Sequence, residues 1–155
     1  MVQNMWFLFS DVSKISQIRQ LILGYRQIYN VFGSGCRHKP YSIFMEKSKN
    51  RNPTKRPIGL IRAAGTRMGG YWYCFNRYLH LHNALKDTVM CPRWEKEVTF
   101  YRKKELKQKV ANIILNESYL KAVKAFVIIL HLMIRCLWLA NSNKPGMNKI
   151  WYYVW

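Results

Sequence analysis

Acidic side chains are scarce in this sequence. Its 155 residues hold 7 Asp and Glu against 26 Lys and Arg, for a formal net charge of +19. Acid–base catalysis uses a close, positioned set of titratable groups, so a few carboxylates spread along the chain argue against a typical soluble hydrolase. Metal-ligand pairs are also lacking. Cys36, Cys74, Cys91 and Cys136 form no CxxC, whereas structural zinc sites carry paired ligands at short spacing. Cys36 with His38 and His80 with His82 come nearest, but each lacks a second half, so no metal is expected. The wide Cys spacings suit a reducing compartment better than a disulfide framework. No G-x-x-x-x-G-K-[ST] and no G-x-G-x-x-G occurs, so no cofactor or small-molecule substrate is expected. The N-terminal MVQNMWFLFSDV has no basic n-region, its apolar stretch Met5–Phe9 is short, and Arg is absent. It therefore predicts neither a secretory nor a transit peptide.

What is present is a chain of 50% hydrophobic composition and single-domain length, able to bury a core. The surplus charge repels itself unless a polyanion neutralises it, which points to nucleic acid first and an anionic membrane second. Ile15, Ile18, Leu21, Ile22, Tyr25, Ile28 and Phe32 recur every three or four positions. They predict a helix over 13–32, with Ser13 as N-cap and Gly33 as stop. Tyr41 to Met45 reads as a short strand, Tyr71, Tyr73 and Phe75 as one face of a second, and Leu79–His82 as a third. A second helix is expected over 102–117, with Leu106, Val110, Ile113 and Ile114 on one face and Lys103, Lys104, Lys107 and Lys109 on the other. A strand from Val123 to Leu130 closes the compact part. The order predicts an α+β fold, a two-layer α/β sandwich with a basic glycine-rich hairpin loop. Residues 1–128 form the binding domain, and 129–155 form an apolar, aromatic C-terminal extension.

The basic residues cluster. Glu46 to Arg56, EKSKNRNPTKR, holds five bases against one acid and is flanked by Arg37, Lys39, Arg62, Arg67 and Arg77. Such a run, interrupted by Asn, Ser, Thr and Pro, suits an irregular phosphate backbone. PIGLIRAAGTRMGG at 57–70 is glycine-spaced and free of acids, so its backbone can approach a ligand closely. YWYCFNRY then interleaves aromatics with Arg77, and its rings can either stack on bases or pack in a core. The expected RNA contacts are Arg37, Lys39, Lys47, Lys49, Arg51, Lys55, Arg56, Arg62, Arg67, Arg77, Lys103, Lys104 and Lys107.

In the order SKISQIRQLI, YSIFMEKSKNRNPTKRP, GTRMGG, YWYCF and ELKQKVANIILNESYLKAVKAFVI, residues 13–128 resemble the large-subunit ribosomal protein family L-sixteen. That family comprises the bacterial and organellar relatives of the L-ten-e proteins. Lys55-Arg56-Pro57, Arg67-Met68-Gly69 and Tyr71-Trp72 are its most specific pieces, and 77–101 match poorly. The resemblance implies a hammerhead-like sandwich on large-subunit ribosomal RNA, near the A-site tRNA and the peptidyl-transferase region. It implies an architectural role without catalysis. It also implies a hairpin tip of Gly65, Arg67, Met68, Gly69 and Gly70, with Arg62 as the other candidate tip contact. The family's Gly-Lys-Gly run before Tyr-Trp is missing, and Arg-Met-Gly falls late. Abundant Lys, Asn, Ile, Tyr and Phe suggests AT-rich coding. The expected setting is a mitochondrial ribosome, organelle-encoded, with a bacterium or plastid as the other settings.

Ala122 to Ala140 carries Lys124, His131 and Arg135, and central charges are costly in lipid. A buried strand with a docked helix is therefore preferred to a membrane span, and a membrane-anchored subunit of an organellar complex is the alternative. Asn141 to Gly146 breaks the pattern. The ending IWYYVW is read as a contact for neighbouring ribosomal proteins. A third reading is an enzyme built around His80, His82 and Cys74.

Overall fold

The computed structural model describes residues 16–33, 39–52, 54–63, 68–97 and 104–141. Six helices run through them: α1 (Ser16–Phe32), α2 (Lys39–Arg51), α3 (Met68–Val89), α4 (Pro92–Glu97), α5 (Lys104–Leu115) and α6 (Glu117–Asn141). No strand occurs among the described residues, so the expected α+β sandwich is corrected to an all-helical fold.

Each expected strand lies inside a helix, and the reason is periodicity. In α2, Pro40, Ile43, Phe44 and Ser48 are buried at three- and four-residue spacing, and Pro40 sits in the first turn, where its missing N–H costs nothing. In α3, Tyr71, Cys74, Phe75, Tyr78, Leu81, Leu85 and Thr88 are buried, again a 3.6-residue stripe. The alternation Tyr71–Tyr73–Phe75 is illusory, because aromatics fill nearly every position from 71 to 75 and match a period of two by default. Leu79–His82 continues the same helix. Val123, Phe126 and Leu130 form the buried stripe of α6 in place of the expected closing strand. Among the described residues the expected glycine-rich hairpin does not form: 55–63 carry no regular secondary structure and Met68, Gly69 and Gly70 open α3, while 64–67 lie outside the described residues.

Two expected helices are present. α1 buries Ile22, Gly24, Tyr25, Ile28, Val31 and Phe32, and Gly33 ends it with an amide bond to the Tyr29 carbonyl at 2.7 Å. α5 buries Val110, Ala111 and Ile114. The expected cap Ser13 lies outside the described residues.

α3 is the central element, packed on α2, α5 and α6, and α1 lies across α5, α2 and α6. Aromatic rings fill the junctions. Tyr25 meets Phe75 edge-on at 5.4 Å, Phe75 meets Phe126 at 5.5 Å, and Phe32 lies between Phe44 at 5.6 Å and Trp94 at 5.5 Å. Each such pair adds about 0.5–1.5 kcal/mol beyond simple burial. Asn116 separates α5 from α6 and caps the latter, its side-chain oxygen accepting the Tyr119 amide at 3.1 Å. α6 runs without interruption through residue 128 and leaves Ile128, Ile129 and Leu132 exposed on its outer side.

Candidate nucleic-acid interface

After α2 the chain turns sharply. The Asn52 side-chain oxygen accepts the Thr54 amide at 3.2 Å, the Lys55 amide donates to the Asn52 carbonyl at 2.9 Å, and Lys55 takes a left-handed φ of 51°. The extended strap that follows is fastened at several points. Asn52 Nδ2 donates to the Arg56 carbonyl at 2.8 Å. The Ser48 hydroxyl donates to the Ile58 carbonyl at 2.7 Å and accepts the Ile58 amide at 3.0 Å. Tyr25 Oη donates to the Ile61 carbonyl at 2.5 Å. Ser48 is buried, so it satisfies both polar groups of Ile58 out of water. The strap is thus held as a fixed wall, with Lys55, Arg56 and Arg62 exposed along it.

Between this wall and α3 lies a cavity of about 300 Å³, lined by Ile58, Ile61, Tyr73, Asn76, Arg77 and His80. The four α3 residues stand at i, i+3, i+4 and i+7, one stripe of the helix. Tyr73 is 49% exposed, Asn76 and His80 are exposed, and Arg77 is half-buried. Among the described residues, no carboxylate lines the cavity.

The expected contact residues divide by environment. Lys39, Lys49, Lys55, Arg56 and Arg62 are exposed, and Lys47 and Arg77 are half-buried. Arg51 Nε instead donates to Asp87 Oδ2 at 2.5 Å, and this bond raises its pKa. Lys107 keeps only 14% of its side chain exposed. Its Nζ lies 5.7 Å from the Trp94 ring centroid, 3.2 Å from the Glu95 carbonyl and 3.7 Å from Glu95 Oε2. It is therefore not on the free polar face of α5 where periodicity puts it. Lys104 opens α5, while Arg37, Lys103, Gly65 and Arg67 lie outside the described residues. Of the expected tip, Met68, Gly69 and Gly70 are helical.

Sequence reasoning did not bring Asn76 and His80 together with Arg77, and it left Tyr73 open between base stacking and core packing; the residue is 49% exposed. The signal was available: with Tyr71, Cys74, Phe75 and Tyr78 as a helical core stripe, Tyr73, Asn76, Arg77 and His80 fall together on the opposite side. The cluster needed for enzymatic use does not assemble. Cys74 is fully buried under Ile61, with its Sγ 3.6 Å from that carbonyl. Burial pushes its thiol pKa up, partly offset by the Tyr25 hydroxyl, so it is a poor nucleophile. His82 contacts the Ile114 carbonyl at 3.0 Å on another side of α3. Among the described residues, no group of three or more His, Cys, Asp or Glu is placed to hold a metal ion.

No described helix is long and apolar enough to cross a membrane. α6, which contains the whole candidate span, commits Val123, Phe126 and Leu130 to the bundle. What the geometry offers is a hydrogen-bonded basic wall beside a cavity that includes Tyr73, and no family model, curated protein or solved structure matches the chain.

Proposed function

We propose that this chain is a non-catalytic, nucleic-acid-binding helical protein whose strap, with Arg77 of α3 beside it, engages the phosphate backbone. The observation that carries this reading is the run of exposed Lys55, Arg56 and Arg62 on a pinned strap beside Arg77, with no carboxylate among the described residues lining the cavity there. Four of the seven acids are paired with bases away from the strap: Glu46 with Arg93 at 2.9 Å, Asp87 with Arg51, Glu95 with Lys107, and Glu105 with Lys109 at 3.8 Å. The uncompensated charge is thus left where a polyanion can meet it.

A structural place on large-subunit ribosomal RNA in a mitochondrion, near the A-site tRNA, is the narrower form of this reading. It rests on the short motifs around Lys55-Arg56-Pro57 and Tyr71-Trp72, two of whose expected strands are helical here. A protein neighbour in that setting would meet the exposed Ile128, Ile129 and Leu132 of α6. Co-sedimentation with large ribosomal subunits on a sucrose gradient tests the narrower form.

The broader form is tested by binding to a labelled RNA across a salt series. Log affinity should fall linearly with log salt, by about 0.7 to 0.9 for each phosphate neutralised. Lys55→Glu/Arg56→Glu/Arg62→Glu should flatten the slope by about three such increments. Binding that ignores salt, or that survives the triple substitution unchanged, overturns the reading.

A further inference from the structure

We propose that the cavity between the strap and α3 receives a single unstacked nucleotide, so that the chain prefers single-stranded nucleic acid to duplex. This rests on the nucleic-acid reading above and adds which form of strand is bound. Neutralising a duplex backbone requires only exposed cations on an open surface. Here the cations border a cavity of about 300 Å³ whose lining is mixed in the way a nucleotide demands. Ile58 and Ile61 supply an apolar wall on the fastened strap, and Tyr73 presents an aromatic ring with 49% of the residue exposed. A base in a duplex has both faces covered by its neighbours, whereas a base in a single strand can place one face on such a ring. Asn76 carries a donor and an acceptor on one amide and can meet a base edge. Arg77 and His80, one and two turns along α3 from Tyr73, are donors suited to the attached phosphate, and the exposed Arg62 follows Ile61 directly.

The strap's anchoring matters to the argument. Ile58 and Ile61 are each fixed by a hydrogen bond to a bundle side chain, Ser48 and Tyr25. The wall therefore stands before any ligand arrives, and little ordering cost opposes entry.

Fluorescence anisotropy with labelled 12-residue oligo(U), oligo(dT) and a mixed-sequence duplex of the same length tests the proposal. The full chain should bind a single strand at least about fivefold more tightly than the duplex at one salt concentration, the effect of stacking one base on Tyr73. Tyr73→Ala should remove about fivefold or more of single-strand affinity, leave duplex affinity and the salt slope unchanged, and be rescued by Tyr73→Phe. Asn76→Ala should weaken single strands alone. Either single strand behaving this way supports the proposal. Tight, salt-dependent binding with equal affinity for strand and duplex overturns the cavity proposal and leaves the broader function standing. Equal losses for both forms on Tyr73→Ala do the same. Failure of every probe to bind overturns both.

Discussion

At the residue scale, the buried hydroxyls of the core are not equivalent. Tyr25 Oη donates to the Ile61 carbonyl at 2.5 Å and Tyr119 Oη to the Leu21 carbonyl at 3.0 Å, whereas the Tyr78 hydroxyl is buried with no partner among the described residues. Burial pushes the pKa of all three far above the ordinary tyrosine value, so each is a neutral phenol at any working pH. A buried hydroxyl without a partner costs about 1–3 kcal/mol, while a satisfied one contributes about 0.5–1.5 kcal/mol net. Tyr78→Phe should therefore be neutral or stabilising by up to about 1 kcal/mol, and Tyr25→Phe should cost about 1 kcal/mol. Urea denaturation at neutral pH reads both. A clear loss for Tyr78→Phe would mean that its hydroxyl is satisfied after all, by an ordered water for instance.

The element scale shows where two helices meet and also where sequence patterns mislead. At the crossing of α1 and α6, a Cβ on Gly24 would lie 2.8 Å from the Tyr119 ring, whose hydroxyl is already committed to Leu21. Ala normally gains about 0.5–1 kcal/mol over Gly inside a helix. Overpacking costs about 1–3 kcal/mol, so packing wins and Gly24→Ala should lower stability by about 1–2 kcal/mol. Gly59→Ala is the control. Its added methyl meets only Met45 Sδ at 3.9 Å, and stability should stay within about 0.5 kcal/mol. Thermal melts of the two variants check the pair, and equal midpoints would show that Tyr119 yields freely. Gly24 was silent in the sequence because its partner lies 95 positions away. By contrast, α1 and α5 were legible, since Ile22, Tyr25, Ile28 and Phe32, and Val110 and Ile114, alternate with polar residues at a helical period. α3 was not: where aromatics are dense, a period of two and a period of 3.6 both fit, and aromatic β-propensity tips the choice the wrong way. α2 was missed because Tyr41 to Met45, short and partly aromatic, fits a strand, whereas Pro40 stands in the first turn of a helix that buries Ile43, Phe44 and Ser48. The basic part of the candidate site was legible as composition, but its cavity depends on the phase of α3, so Asn76 and His80 could not be placed without it.

On the scale of the whole molecule, one charge imbalance governs two responses of opposite sign. With 26 basic against 7 acidic residues, folding brings like charges together, and the ion pairs at Arg51, Arg93, Lys107 and Lys109 offset few of them. All but that of Lys107 are largely exposed, and such pairs contribute only about 0–1 kcal/mol each, so screening them loses little. Screening the remaining repulsion gains more, because at 0.1 M salt the Debye length is about 10 Å and charges on opposite sides of the bundle cease to interact. The melting temperature of the free protein should therefore rise by several degrees between low salt and about 0.3 M sodium chloride, while affinity for RNA falls over the same range. Lys55→Glu/Arg56→Glu/Arg62→Glu lowers the net charge from +19 to +13, two units for each of three reversals. It should flatten both responses together. A melting temperature that falls with salt would show that ion pairs, rather than repulsion, dominate the fold. Loss of RNA binding with an unchanged thermal response would place the repulsive charge elsewhere on the surface, away from the strap.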